Sequence, residues 1–161
     1  MDAVMTHLFE GARAVELLPV FADVEAYPSF VPGFKSAKIV ERGRDEYKTK
    51  IVMALDLGLF TYEEELDSVT REAFPFSIEV CSTGSRFIRS FRNIWRFLDG
   101  PTGCNVAFEM TIEFAALPGL VRPMLARLAQ LQAERILQAF VARVEAGRRP
   151  ECRENARQRG T

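Results

Sequence analysis

Between Pro118 and Gly147 the chain carries an apolar pattern that no flat wall can cover. Leu120, Val121, Met124, Leu125, Leu128 and Leu131 recur at helical spacing, followed by Ile136, Leu137, Phe140, Val141 and Val144. At about 100° per residue the first set clusters on one face of a helix, and the second on a face rotated by well over a right angle. Such a helix, roughly seven turns long at about 3.6 residues per turn, must be wrapped and not merely covered. Pro118, Gly119 and Pro123 suit a start near Leu120 and Gly147 suits the stop, since proline is tolerated in a first turn and glycine ends helices. Gln132, Arg135 and Gln138 continue the angular sector of the first apolar set. Two readings follow: they face a partly wet cavity, or the helix emerges into solvent on that side.

The wrapper is supplied upstream, where the apolar period changes to two from Ala37 to Phe114. Tyr47, Thr49, Ile51, Met53, Leu55 and Leu57 alternate with Lys48, Lys50, Val52, Ala54 and Asp56, the pattern of a strand with one buried face. Residues 59–69 form a strand carrying Glu63, Glu64, Glu65 and Asp67. Residues 74–81 form another, with Phe76, Ile78 and Val80 on one side and Pro75 at its beginning or edge. In residues 86–97, Phe91, Trp95 and Phe97 point inward while most arginines point outward and pair with the acidic strand. The clearest strand sets Val106, Phe108, Met110, Ile112 and Phe114 on the face toward the long helix, against Ala107, Glu109, Thr111 and Glu113. The predicted fold is α+β, a curved antiparallel sheet wrapped around the C-terminal helix. Ahead of the sheet, residues 6–14 read as a strand, and Leu17, Leu18, Phe21, Ala22 and Val24 as a helix that Pro19 begins or breaks. Residues 23–34 read as a turn with a short helix, pinned by Tyr27, Phe30 and Phe34.

Length, charge and motif content narrow the chemistry. At 161 residues the chain is one domain, taken as residues 1–147, with an arginine-rich tail of disordered composition at 148–161. A formal charge of −1 gives no overall attraction to nucleic acid, and no DNA partner is expected. Cys81, Cys104 and Cys152 lack paired spacing, and His7 is the single histidine, which removes histidine triads and most three-ligand metal sites. No metal and no catalytic residue is assigned. The start lacks a basic, then apolar leader, and no stretch reaches the roughly 18–20 apolar residues of a membrane span. The expected location is therefore the cytoplasm, with room for peripheral contact at the inner face of a membrane. Nucleotide loops and nucleophile elbows are absent from the sequence. The acidic run at 63–67 reads most simply as a solvated strand face.

What is left is an apolar space between sheet and helix, with Met110, Ile112, Leu128 and Leu131 as its lining beside the flexible Met124. Phe34, Met53 and Leu55 are placed in the same site, with Gln132 and Arg135 in its wet sector.

The strings FADVEAYPSFVP at 21–32, WRF at 95–97, CNVAFEMTIEF at 104–114 and AFVAR at 139–143 together resemble the coenzyme Q-binding protein and RatA toxin family of the START-like superfamily. The resemblance covers roughly residues 15–145 and implies a helix-grip fold enclosing a lipid-sized tunnel. It also implies binding of ubiquinone or another polyprenyl lipid in support of respiratory electron transfer, without turnover and without a cofactor. Carried across by motif, Asp23, Tyr27, Phe30 and Pro32 shape the tunnel entrance, and Trp95 and Phe97 form its wall. Gly33 and Phe34 depart from the family pattern after the last proline of the motif, and Pro19 interrupts a helix normally continuous. Two alternatives stand beside the lipid-binding reading. One is a RatA-like factor acting on the large ribosomal subunit, supported by the arginines of residues 86–96 and the tail. The other is an aromatase or cyclase, which requires Arg89, Asn93, Gln132 or Arg135 to converge inside the cavity.

Overall fold

The computed structural model describes residues 2–56, 61–83, 88–115 and 122–148. Strand β1 (Asp2–Glu10) leads to helix α1 (Ala14–Ala22) and a 3-10 turn (Val24–Ser29). Six strands follow: β2 (Phe34–Arg42), β3 (Glu46–Asp56), β4 (Thr61–Ala73), β5 (Ser77–Thr83), β6 (Ile88–Asp99) and β7 (Gly103–Phe114). Helix α2 (Arg122–Arg148) closes the described chain. All neighbouring strands are antiparallel, in the order β1-β7-β6-β5-β4-β3-β2. β2 to β7 thus form a meander, and β1 returns to cover the free edge of β7. This is the curved sheet gripping a long helix that the two apolar helix faces demand.

Alternation fixes which face is inside. On β3, Tyr47, Thr49, Ile51 and Met53 are buried while Lys48 and Lys50 are exposed. On β7, Val106, Phe108 and Met110 are buried and Ile112 and Phe114 half-buried; Glu113 is exposed. Glu109 pairs outward with Arg96 of β6.

Several expectations change. β1 lies at Asp2–Glu10, ahead of the anticipated residues 6–14, because Gly11 adopts φ 66° and turns the chain into α1. Pro19 neither begins nor breaks α1: it sits inside it, exposed, where its missing N–H removes one bond of the helix, the one directed at the carbonyl four residues back. The start of α1 is set instead by two carboxylates that take the first free N–H groups, Glu16 from Arg13 at 2.8 Å and Asp99 of β6 from Ala14 at 2.8 Å. Phe76 is not an inward strand residue. It lies in the β4–β5 turn at 68% exposure, and only Ile78 and Val80 point inward.

Arg92 and Arg96 of β6 pair with Glu79 on β5 (2.6 Å) and Glu109 on β7, not with the acidic strand, because β5 stands between β4 and β6. The acidic face of β4 instead meets Lys50 of β3, at 3.3 Å from Glu65 and 3.9 Å from Asp67. α2 continues one residue beyond Gly147, where Arg148 donates to the carbonyl of Glu10 at 2.8 Å. Leu57, the anticipated helix start at residues 118–121, Arg86, Cys152 and the tail from 149 onward lie outside the described residues, as does the side chain of Leu55.

Candidate functional site

The inner face of the sheet has two unlike ends. One is aromatic. Trp95 of β6 lies opposite Phe108 of β7, and their rings stack at 4.1 Å. Phe21 of α1 packs edge-on against Trp95 (4.9 Å) and Phe97 (5.2 Å) and stacks on Phe140 of α2 at 4.4 Å. Phe140 also meets Tyr27 (5.1 Å), Phe30 (5.2 Å) and Trp95 (5.0 Å). The buried hydroxyl of Tyr27 donates to the carbonyl of Phe21, tying the 3-10 turn to α1. Burial pushes the Tyr27 phenol well above its ordinary range, with the nearby Tyr47, Asp23 and Glu72 adding to the effect. This end of the molecule is filled.

The other end is open. Between β3, β4, β6, β7 and the first half of α2 lies a cavity of about 530 Å³, within the range of about 300–1,000 Å³ typical of small-molecule sites. Its sheet side is formed by Met53, Leu66, Ile88, Phe91, Met110, Ile112 and Phe114. Its helix side is formed by Leu125, Leu128, Ala129, Leu131 and Ile136. Polar groups enter at Lys35, Thr61, Glu64, Gln132 and Arg135. Of these, Lys35, Thr61 and Arg135 are exposed at the mouth and Glu64 is buried.

Strand pairing explains how the cavity acquires its chemistry. Directly opposed residues of neighbouring strands share a face. Met53 faces Glu64, Ile51 faces Leu66 and Thr49 faces Ser68 across β3–β4. Ser68 in turn faces Ser82 of β5, their hydroxyls 2.6 Å apart, and Ser82 faces Phe91. Among the described residues, three buried polar atoms on this face lack a hydrogen-bond partner: Thr49 Oγ1, Glu64 Oε2 and Asn93 Oδ1. Glu64 alone of these three is among the residues lining the cavity. It is also where the sequence reading of β4 fails: Glu64 does not belong to the solvated face that Glu63 and Glu65 occupy. Its parity with Leu66, Ser68 and Thr70 was the available signal.

The anticipated site residues divide between the two ends. Pro32, Met53, Met110, Ile112, Leu128, Leu131, Gln132 and Arg135 line the cavity. Tyr27 and Trp95 belong to the aromatic plug, buried away from it. Phe30 and Phe34 pack on Tyr27 and line a separate surface depression beside the 3-10 turn. Asp23 is exposed and Phe97 buried in the plug. Met124 is 51% exposed and is not among the lining residues. Gln132 has a structural task, its Nε2 donating to the carbonyl of Pro32 at 2.8 Å, which clamps α2 to the loop at the cavity mouth. Gly33 completes that clamp: it adopts φ 89°, and a Cβ there would lie 2.9 Å from Gln132 Nε2. Leu66 and Ile88 are lining residues that the sequence reading did not single out, and Phe91 and Leu125, expected on the inner face of the sheet and on the first helix stripe, also line the cavity.

The family model for polyketide cyclase / dehydrase and lipid transport proteins matches residues 12–143. The chain belongs to that family. Its description covers polyketide chemistry and lipid transport, both of which involve hydrophobic molecules. Among solved structures, a Thermus thermophilus protein is 18% identical with a TM-score of 0.79, the match covering 92% of this chain and 99% of that one. The Zhui aromatase/cyclase from Streptomyces sp. R1128 is 16% identical with a TM-score of 0.73, covering 90% and 94%. A STAR-related lipid transfer protein from Xanthomonas axonopodis is 12% identical with a TM-score of 0.63, covering 89% and 85%. These likenesses establish the helix-grip fold. Among the described residues no helix is long and apolar enough to cross a membrane, and no group of three or more metal-ligating side chains occurs.

Proposed function

We propose that the protein binds an elongated hydrophobic molecule between the sheet and the first half of α2, and carries it without turnover. The observation that supports this reading is the cavity of about 530 Å³ with walls of aliphatic, methionine and phenylalanine side chains. Met53 and Met110 give it an adaptable surface suited to a long, flexible ligand. At about 0.8 kcal/mol per buried methylene, roughly ten carbons contribute on the order of 8 kcal/mol, which exceeds the lower estimates of the association cost. The ligand class we favour is a polyprenyl lipid, with ubiquinone as its respiratory member. The resemblance of the string at residues 23–32 and membership of a family that includes lipid transport both support it.

A cyclase reading has two observations in its favour: the family's description includes polyketide cyclases, and Glu64, Gln132 and Arg135 line the same cavity. Against it, the Gln132 amide is engaged with Pro32, Arg89 is exposed, and Asn93 is not among the lining residues. The ribosome-directed reading rests on arginines of which Arg92 and Arg96 are already paired with Glu79 and Glu109.

The deciding experiment is organic extraction of the purified protein with mass spectrometry of the extract, followed by titration of the delipidated protein with a short-chain ubiquinone. An extracted isoprenoid and saturable quinone binding are the expected results. A folded, delipidated protein that binds neither quinone nor polyprenyl alcohol overturns the carrier reading.

A further inference from the structure

Among the described residues, Glu64 is the one charged side chain buried within the fold, at 4% exposure. It stands on β4 opposite Met53 and two residues from Leu66, and all three line the cavity. Among the described residues its Oε2 has no hydrogen-bond partner and no salt bridge reaches it, whereas its neighbour Glu65 is held by Lys50 at 3.3 Å on the opposite face. Burying a carboxyl oxygen without a hydrogen-bond partner opposes folding, and no described residue bonds Oε2.

We propose that Glu64 is the polar anchor of the cavity, accepting a hydrogen bond from the hydroxyl head of an otherwise apolar ligand. This rests on the hydrophobic-ligand reading above and specifies the head group. As an ionised anchor Glu64 only accepts hydrogen bonds, and so do the oxygens of an ether or a quinone. A phenol or hydroquinone donates, and forms the short, charge-assisted bond that Oε2 lacks. The site therefore selects the hydroxyl-bearing, reduced head over its oxidised or alkylated counterpart, with the tail lying along Met110, Ile112 and Leu128 toward Leu131 at the mouth.

The test uses a redox-inert pair, para-dodecylphenol and its methyl ether, titrated into the delipidated full chain. The parent protein is expected to bind the phenol roughly ten- to a hundredfold more tightly, the range of one hydrogen bond to a charged group. The ether is the more apolar probe, so hydrophobicity alone would give the opposite order. Glu64→Leu is expected to remove the preference while retaining the ether. Glu64→Gln, which keeps the shape and a neutral acceptor, is expected to narrow it to a few-fold, and decides the matter if the leucine variant does not fold. Equal binding of the two probes by the parent, or an undiminished phenol preference in a folded variant, overturns the anchor and leaves the cavity reading standing. Failure of both probes to bind the parent overturns both.

Discussion

Phe140 meets Phe21, Tyr27, Phe30 and Trp95 and has no exposed surface. Truncating it leaves a void that rings from three different segments, α1, the 3-10 turn with its cap, and β6, would have to close together. Phe140→Ala is therefore expected to destabilise the protein by about 3–5 kcal/mol in urea unfolding, whereas Leu128→Ala, half-buried beside existing space, is expected to cost less than about 2 kcal/mol. A second residue-scale prediction concerns pH. Burial, with Glu72 nearby, raises the Tyr47 phenol from 10.0 to about 12. The folded state thus holds that proton more tightly than the unfolded chain, so the stability it contributes is fully present below pH 10 and is lost as pH rises toward 12. Tyr47→Phe should flatten this part of the urea-midpoint profile; an unchanged alkaline slope would show that other groups control it. The plug also shows why aromatic residues were hard to read from sequence. Tyr27, Phe30 and Trp95 have the composition of a ligand gate and of a packed core alike, and only the position of Phe140 separates the two.

At the scale of elements, period-two alternation identified β3 and β7 because each buries one face and solvates the other. The same alternation was sufficient for β4, yet three consecutive acids suggested solvent and hid the inward parity of Glu64 with Leu66. Pro19 was equally misleading, since a solvent-facing proline removes one helix bond without disturbing the buried side formed by Leu17, Leu18 and Phe21. Replacing it should restore that bond. Pro19→Ala is expected to raise stability by about 1–3 kcal/mol, read as a higher urea midpoint with unchanged circular dichroism. The sheet edge has a tighter constraint at Gly103, opposite Glu10, where a Cβ would lie 2.2 Å from the carbonyl of Phe9. Gly103→Ala must push β1 away from β7, and a loss of about 1–3 kcal/mol is expected. Hydrogen exchange should show the loosening first in β1; a variant with parental exchange there would contradict this account of the edge.

At the scale of the whole molecule, the two apolar faces of α2 serve different ends of one grip. Ala133, Ile136, Leu137, Phe140, Val141 and Val144 are buried, and Arg148 ties the end of the helix to β1. Before Ala133 the same helix is only half-buried over the cavity: Leu125, Leu128 and Ala129 are partly covered, and Leu131 is 42% exposed. The sequence displayed the rotation between the faces but not its meaning, because a face that covers a cavity and one that covers side chains have the same composition. Their energetics differ. Few apolar contacts secure the first half, so its local opening costs less than that of the second. Without ligand, backbone amides of residues 124–131 should exchange markedly faster than those of 136–144. A ligand that binds only the folded cavity stabilises by mass action, about 2.7 kcal/mol at a hundredfold excess over Kd. The resulting protection should concentrate in residues 124–131 and in the cavity strands β4 and β7, while the amides of 136–144, already held by the plug, change little. Uniform slowing along α2 would mean that the helix opens as one unit and that the cavity does not divide it.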